Sequence, residues 1–82
     1  MILTDIYVPV LDRVYDFKLD ENATTDQVID EICELICRKE KLKAVEGKDK
    51  MLLCSVREQR TFAADETLLN AGVVTGDRLI LL

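Results

Sequence analysis

The chain has 82 residues, enough for one domain built around a single core and too few for two. Apolar residues make up 49% of it, which argues against disorder, and the net charge of −5 argues against sequence-independent binding to nucleic acid, which needs a basic footprint. No run approaches the roughly 18 apolar residues that span a bilayer, and the opening "MILTDIYVPV" lacks the basic n-region of a secretory signal, so the expectation is one cytoplasmic domain over residues 1–82 with no direct membrane insertion.

Residues 2–8, "ILTDIYV", alternate with period two: Ile2, Thr4, Ile6 and Val8 on one face, Leu3, Asp5 and Tyr7 on the other. That is a strand. Pro9 cannot donate to a ladder and marks where pairing ends. "LDR" is the expected turn. "VYDFKLD" then alternates again, with Tyr15, Phe17 and Leu19 inward, so the two segments form a hairpin.

The period changes in "DENATTDQVIDEICELICRKE". Thr24 followed by Gln27 fits a capping box. Asp26 near the start and Arg38, Lys39 and Lys41 near the end match the helix macrodipole. Val28, Ile32, Leu35 and Ile36 form the expected main stripe, widened by Ile29, Cys33 and Cys37. A stripe this wide suits a helix laid across a sheet. Charge is uneven from here: residues 1–37 hold nine acids and two bases, while residues 38–50 hold six bases and three acids. The basic stretch reads as a solvated segment or as a docking patch for an acidic partner or a membrane surface, with three interleaved acids weakening the second reading.

"MLLCSV" is a third strand, "REQ" its turn and "RTF" a short partner strand. "ADETLLNAG" reads as one short helical turn with Leu68 and Leu69 inward. Gly72 suits the end of that turn and Gly76 a left-handed position before the last strand. "RLILL" is apolar at nearly every position, as in a central strand covered on both faces. The resulting order is strand, strand, helix, strand, short strand, turn, strand. It is an α+β layout: a mixed sheet of four to five strands with one main helix on one face. Placing the first and last strands side by side and parallel at the centre makes it a β-grasp.

Chemistry is poorly supported. There is no histidine to work as an acid or base near neutral pH. Gly47, Gly72 and Gly76 form no phosphate-binding cluster. Cys33, Cys37 and Cys54 are an odd set in a chain without a secretion signal, so no disulfide framework is expected. A closed zinc site would need a carboxylate or an outside ligand, so the cysteines read as core packing. The expectation is therefore no enzyme, no catalytic residue, no metal and no cofactor.

The whole chain resembles the ubiquitin family. The resemblance rests on "TLLNAGVVTGDRLILL", with its L-x-x-A-G-V-x-x-G-D-x-L spacing, on the "LDENATTDQVIDEI" strand-to-helix junction and on the strand-initial methionine. Within that superfamily it is most similar to the small bacterial YukD/EsaB group, through the "DIYV" strand, the long helix and the "GDRLILL" terminus. The longer basic loop at 38–50 departs from that group. The resemblance implies a non-catalytic protein-interaction module, an accessory of type VII (WXG-substrate) secretion. Its implied partners are proteins, with membrane or ATPase components of a secretion machine among the candidates, and a weak homodimer is left open. Ubiquitin-like modifiers and sulfur carriers act through a C-terminal Gly-Gly tail. The sequence as it stands ends at Leu82 with no glycine after Gly76, so a binding-only relative is expected; the alternative is a modifier or sulfur carrier whose tail lies beyond this sequence.

A partner surface can also be placed. If Leu79 and Leu81 face the helix, Ile80 and Leu82 face away from it, as do Leu3 and Tyr7. The third strand turns out either Met51 and Leu53 or Leu52 and Cys54; the first pair is favoured. The expected surface is Leu3, Tyr7, Leu53, Ile80 and Leu82.

Overall fold

The computed structural model describes residues 1–41 and 51–82. Strand β1 (Ile2–Val8) buries every second residue, as its alternation requires. A 3-10 turn at Pro9–Leu11, with Pro at its start, leads to Asp12 in the left-handed region (φ 51°). The chain then reverses into β2 (Arg13–Leu19), antiparallel to β1 from Ile2↔Leu19 to Val8↔Arg13. Tyr15, Phe17 and Leu19 point into the core, as expected.

Helix α1 spans Thr25–Glu40 and carries the expected capping box. The Gln27 N–H donates to Thr24 Oγ1 at 3.3 Å, and the Thr24 N–H donates to Gln27 Oε1 at 3.1 Å. Two of the orphan donors of the first turn are thus satisfied. Lys41, in the left-handed region, closes the other end through its N–H to Cys37 O. The helix buries Val28, Ile29, Ile32, Cys33 and Ile36. Leu35, expected in the main stripe, sits at its margin, while Ile29 and Cys33 lie within it. At the helix end the Tyr15 hydroxyl donates to Glu40 Oε1 at 2.6 Å, tying α1 to β2. Of the basic stretch 38–50, residues 42–50 lie outside the described residues.

Strands β3 (Leu53–Ser55), β4 (Arg60–Thr61) and β5 (Arg78–Leu81) complete a five-stranded sheet in the order β2-β1-β5-β3-β4. β5 is central. It runs parallel to β1 and antiparallel to β3. Between β4 and β5 the expected single helical turn is present: the Ala71 N–H donates to Thr67 O at 3.0 Å, and the turn closes at Gly72 through Gly72 N–H to Leu69 O at 3.1 Å and Val73 N–H to Leu68 O at 3.0 Å. Leu68 is fully buried there, but Leu69, also expected inward, is 58% exposed. Gly72 (φ 81°) and Gly76 (φ 94°) occupy left-handed positions that favour glycine. Among the described residues, no helix is long and apolar enough to cross a membrane.

The core fills the layer between α1 and one face of the sheet. It includes Ile6, Leu19, Val28, Ile32, Leu53, Leu68, Leu79 and Leu81. Among the described residues, one buried polar side-chain atom has no partner: Thr4 Oγ1, on β1, although Thr4 is 2% exposed. A buried hydroxyl left unpaired costs about 1–3 kcal/mol. Thr4→Val replaces it with a methyl of similar shape and improves strand propensity. We expect Thr4→Val to raise stability by about 1 kcal/mol, seen as a rise of about 4–8 °C in Tm for a domain this size. An unchanged or lowered Tm would mean that the hydroxyl is satisfied in solution.

Candidate functional site

The second face of the sheet carries no helix among the described residues. Its side chains follow from the strand registers. Tyr7 pairs with Val14 on β2 and Ile80 on β5; Ile80 pairs with Cys54 on β3; Cys54 pairs with Thr61 on β4. Paired residues point to the same face. Val14, Tyr7, Ile80, Cys54 and Thr61 therefore form one continuous row across all five strands. Beside it, Leu52 and Leu82 exchange backbone hydrogen bonds of 3.1 and 2.9 Å and extend the apolar area. Leu52, Val14 and Leu82 are 49%, 56% and 59% exposed. Tyr7 and Ile80 are half-buried at the centre of the row.

The Tyr7 hydroxyl donates to Asp12 Oδ1 at 3.1 Å, which holds the ring against the sheet. That bond, reinforced by the Asp12 charge, pushes the phenol up from its ordinary value, so Tyr7 stays a neutral donor at physiological pH. At the β3–β4 end, Cys54, Val56, Gln59, Arg60, Thr61 and Ile80 line a shallow cleft.

The next row is charged. Asp16, Asp5 and Arg78 lie side by side on β2, β1 and β5. The Asp16 carboxyl is pushed up by a hydrogen bond to Asp5 and by the Asp5 charge, against the pull of Lys39. Beyond this row comes Leu3, beside Lys18. Leu3, Thr4, Asp5, Asp16, Thr75 and Gly76 line a second hollow there.

Four of the five residues expected on the partner surface, Leu3, Tyr7, Ile80 and Leu82, therefore lie on this face, although Leu3 is separated from Tyr7 by Asp5. The fifth requires correction. Leu53 is fully buried. It pairs with Leu81, which points to the helix, so Leu53 does too. Leu52 and Cys54 stand outward instead. Val14 and Thr61 were not anticipated on the surface. The alternation in "VYDFKLD" does put Val14 opposite Tyr15 in facing, and the hairpin register then seats it beside Tyr7.

All three cysteines are free. Cys33 is buried in α1, its Sγ 3.5 Å from Met51 Sδ. Cys37 is half-buried. Cys54 lies on the other side of the sheet, its Sγ 3.4 Å from Thr61 Oγ1. The sheet separates Cys54 from the helical pair. Among the described residues, no group of three or more Asp, Glu, Cys or His could hold a metal ion.

Comparison with known proteins adds the family. The chain spans 99% of its length, and 91% of the other chain, against the EccD5 ubiquitin-like domain from Mycobacterium xenopi, with a TM-score of 0.76 and 23% identity. Against the ubiquitin of Caldiarchaeum subterraneum it covers 98% of its own length and 89% of the other, with a TM-score of 0.69 and 25% identity. The N-terminal ubiquitin-like domain of the 4931431F19Rik protein superposes with a TM-score of 0.76 at 15% identity, covering 99% of this chain and 72% of that one. These likenesses show the ubiquitin-like β-grasp fold. No curated protein matches the sequence. The description of protein YukD of the WXG100 protein secretion system (Wss) matches residues 3–81. The chain belongs to the YukD family of the WXG100 secretion system.

Proposed function

We propose that the chain is a non-catalytic, ubiquitin-like interaction module that serves WXG-substrate secretion by docking, through the open face of its sheet, onto a protein component of that machinery. The observation that carries this reading is the row Val14–Tyr7–Ile80–Cys54–Thr61 with Leu52 and Leu82 alongside. Contiguous exposed apolar area on a small domain marks an interaction surface. A tyrosine fixed by its own hydroxyl, as Tyr7 is by Asp12, offers a large contact area with little side-chain freedom left to lose. The family ties the chain to WXG100 secretion. The partner in this reading is a membrane or ATPase subunit met on the cytoplasmic side, and the association is non-covalent.

The test is the double variant Tyr7→Ala/Ile80→Lys. Both side chains lie outside the core layer, so the protein should still fold. Secretion of WXG100 substrates is expected to fall at least about tenfold, the effect of removing one well-buried anchor. Asn70→Ala, on an exposed turn between β4 and β5 and outside the row, should secrete normally. A folded, monomeric double variant that secretes as well as the parent would remove this face from consideration. Intact mass of the protein recovered from its host addresses the covalent alternative: a C-terminal conjugate or thiocarboxylate would replace docking with carrier chemistry.

A further inference from the structure

Among the described residues the β2 edge of the sheet is open, and its backbone has a defined outward set. The Gly76 N–H donates to Leu3 O at 2.8 Å, and the Asp5 N–H donates to Asp77 O at 3.1 Å. Leu3 and Asp5 thus direct their backbone groups towards β5. Backbone polar groups alternate sides along a strand. Those of Ile2, Thr4, Ile6 and Val8 therefore point at β2, where their partners are Leu19, Phe17, Tyr15 and Arg13. The backbone groups of Val14, Asp16 and Lys18 are left pointing off the sheet. β2 is terminal in the strand order, and among the described residues no strand pairs with its outer side.

We propose that this edge pairs with the β2 edge of a second copy of the chain, antiparallel, about a twofold axis through Phe17. A symmetric antiparallel pair must match outward-pointing residues with outward-pointing residues. Three registers set at least two of Val14, Asp16 and Lys18 against one another. An axis through Tyr15 sets Val14 against Asp16 and leaves Lys18 facing Asp12, which has already left the strand at φ 51°. An axis through Asp16 sets two like charges directly opposite, which is destabilising. An axis through Phe17 sets Asp16 of each copy against Lys18 of the other, two reciprocal opposite-charge pairs inside the strand, and leaves only the uncharged Val14 facing Asp20, just past the strand's end. The side chains are poised for it. Lys18 makes no ion pair among the described residues. Asp16 lies beside a second carboxylate, Asp5, with Lys39 of its own chain pulling the other way. A lysine arriving across the edge supplies charge on its free side. Both copies keep their helices on the same face of the joined sheet, and the row through Tyr7 and Ile80 stays uncovered. The inference is therefore independent of the docking reading.

Sedimentation equilibrium on the full chain from about 10 µM to about 1 mM spans the range of a weak edge contact. The average mass is expected to rise towards that of a dimer. Asp16→Lys and Lys18→Asp, each alone, place like charges opposite and should weaken association at least about tenfold. The double swap Asp16→Lys/Lys18→Asp restores complementarity and should return the association to within about threefold of the parent. Circular dichroism confirms that each variant is folded. Amide shifts that change with concentration at Val14, Asp16 and Lys18 provide a second measurement that needs no variant. A monomeric parent at about 1 mM, a double swap that stays as weak as the single ones, or concentration-dependent shifts centred on Tyr7 and Ile80 would each overturn the proposal.

Discussion

Leu79→Ala is expected to lower the free energy of unfolding by about 2–5 kcal/mol. Leu79 is fully buried on the central strand β5, between Ile6 of β1 and Ser55 of β3, and belongs to the same core cluster as Val28, Ile32 and Leu81. Removing its three outer carbons loses their transfer free energy and leaves a cavity. Strands on both sides and the helix above prevent the site from collapsing to fill it. A domain of this size has about 4–12 kcal/mol in total, so the variant should unfold well below the parent in temperature and urea. Ile32→Ala, fully buried on the facing helix, should behave alike. Leu82→Ala provides the contrast. It is three residues away but 59% exposed on the open face, and should change stability by no more than about 0.5 kcal/mol. A larger effect of Leu82→Ala than of Leu79→Ala would mean that the inward and outward faces have been exchanged, and equal effects would contradict the burial of Leu79.

Asp77→Ala is expected to cost about 1–3 kcal/mol, the range for stranding hydrogen-bond partners of a buried carboxylate. Asp77 is 8% exposed at the entry to β5. Its Oδ2 accepts from the Val74 N–H at 3.1 Å and from Arg57 Nη2 at 3.0 Å, while the same guanidinium reaches Gly72 O at 2.8 Å. One side chain thus closes the turn before β5 and ties it to the turn after β3. Burial alone would push the Asp77 carboxyl up, but the Arg57 guanidinium and the Val74 N–H outweigh it and hold the carboxyl below the usual carboxylate range. The folded value therefore lies below the unfolded value of about 3.9. For that sign, the stabilisation is complete above about pH 4 and is lost as the pH falls through the depressed folded value. Glu66, held down chiefly by its hydrogen bond from Arg60, loses stabilisation in the same direction. A comparison of parent with Asp77→Asn cancels that contribution, since both proteins contain Glu66. The stability gap between the two should be widest near neutrality and should close below about pH 4. A gap that stays constant down to about pH 2 would show that the charge of Asp77 contributes nothing to the tie.

The parts of this fold that could be read before the structure are those set by residues close in sequence. The alternation of Ile2, Thr4, Ile6 and Val8 defines β1 and its inward face to the residue. Thr24 and Gln27 announce the start of α1, because each caps the other's backbone within one turn. Gly72 and Gly76 mark left-handed positions whose demand is local. The less accurate readings fall where the pattern is silent. "TLLNAG" forms the single helical turn its composition suggests, through the Ala71 N–H to Thr67 O bond, but Leu69, expected inward, is exposed, and its N–H bonds to Glu21 O. That tie to a residue remote in the chain, with Leu68 filling the core position, is not marked by the local pattern. The continuous apolarity of "RLILL" was read as cover on both faces. The strand is central, but its second face carries no helix among the described residues, and Ile80 is only half-buried there.

The second face of the sheet divides along the same line. That Tyr7, Ile80 and Leu82 share a face follows from strand period two, once β1 and β5 are taken as parallel neighbours. The facing of β3 could not be read so, because "MLLC" is apolar at both parities and offers no polar residue to mark the outside. Its direction is set by pairing: Leu53 opposite Leu81, and Cys54 opposite Ile80. The row from Val14 to Thr61 likewise depends on the order β2-β1-β5-β3-β4 and on four registers, each fixed by hydrogen bonds between residues remote in the chain. Local chemistry chooses strand, helix and turn, because the competing conformations differ within a few residues. Which apolar side chains meet across the sheet is chosen by long-range pairing, whose partners the local pattern does not name.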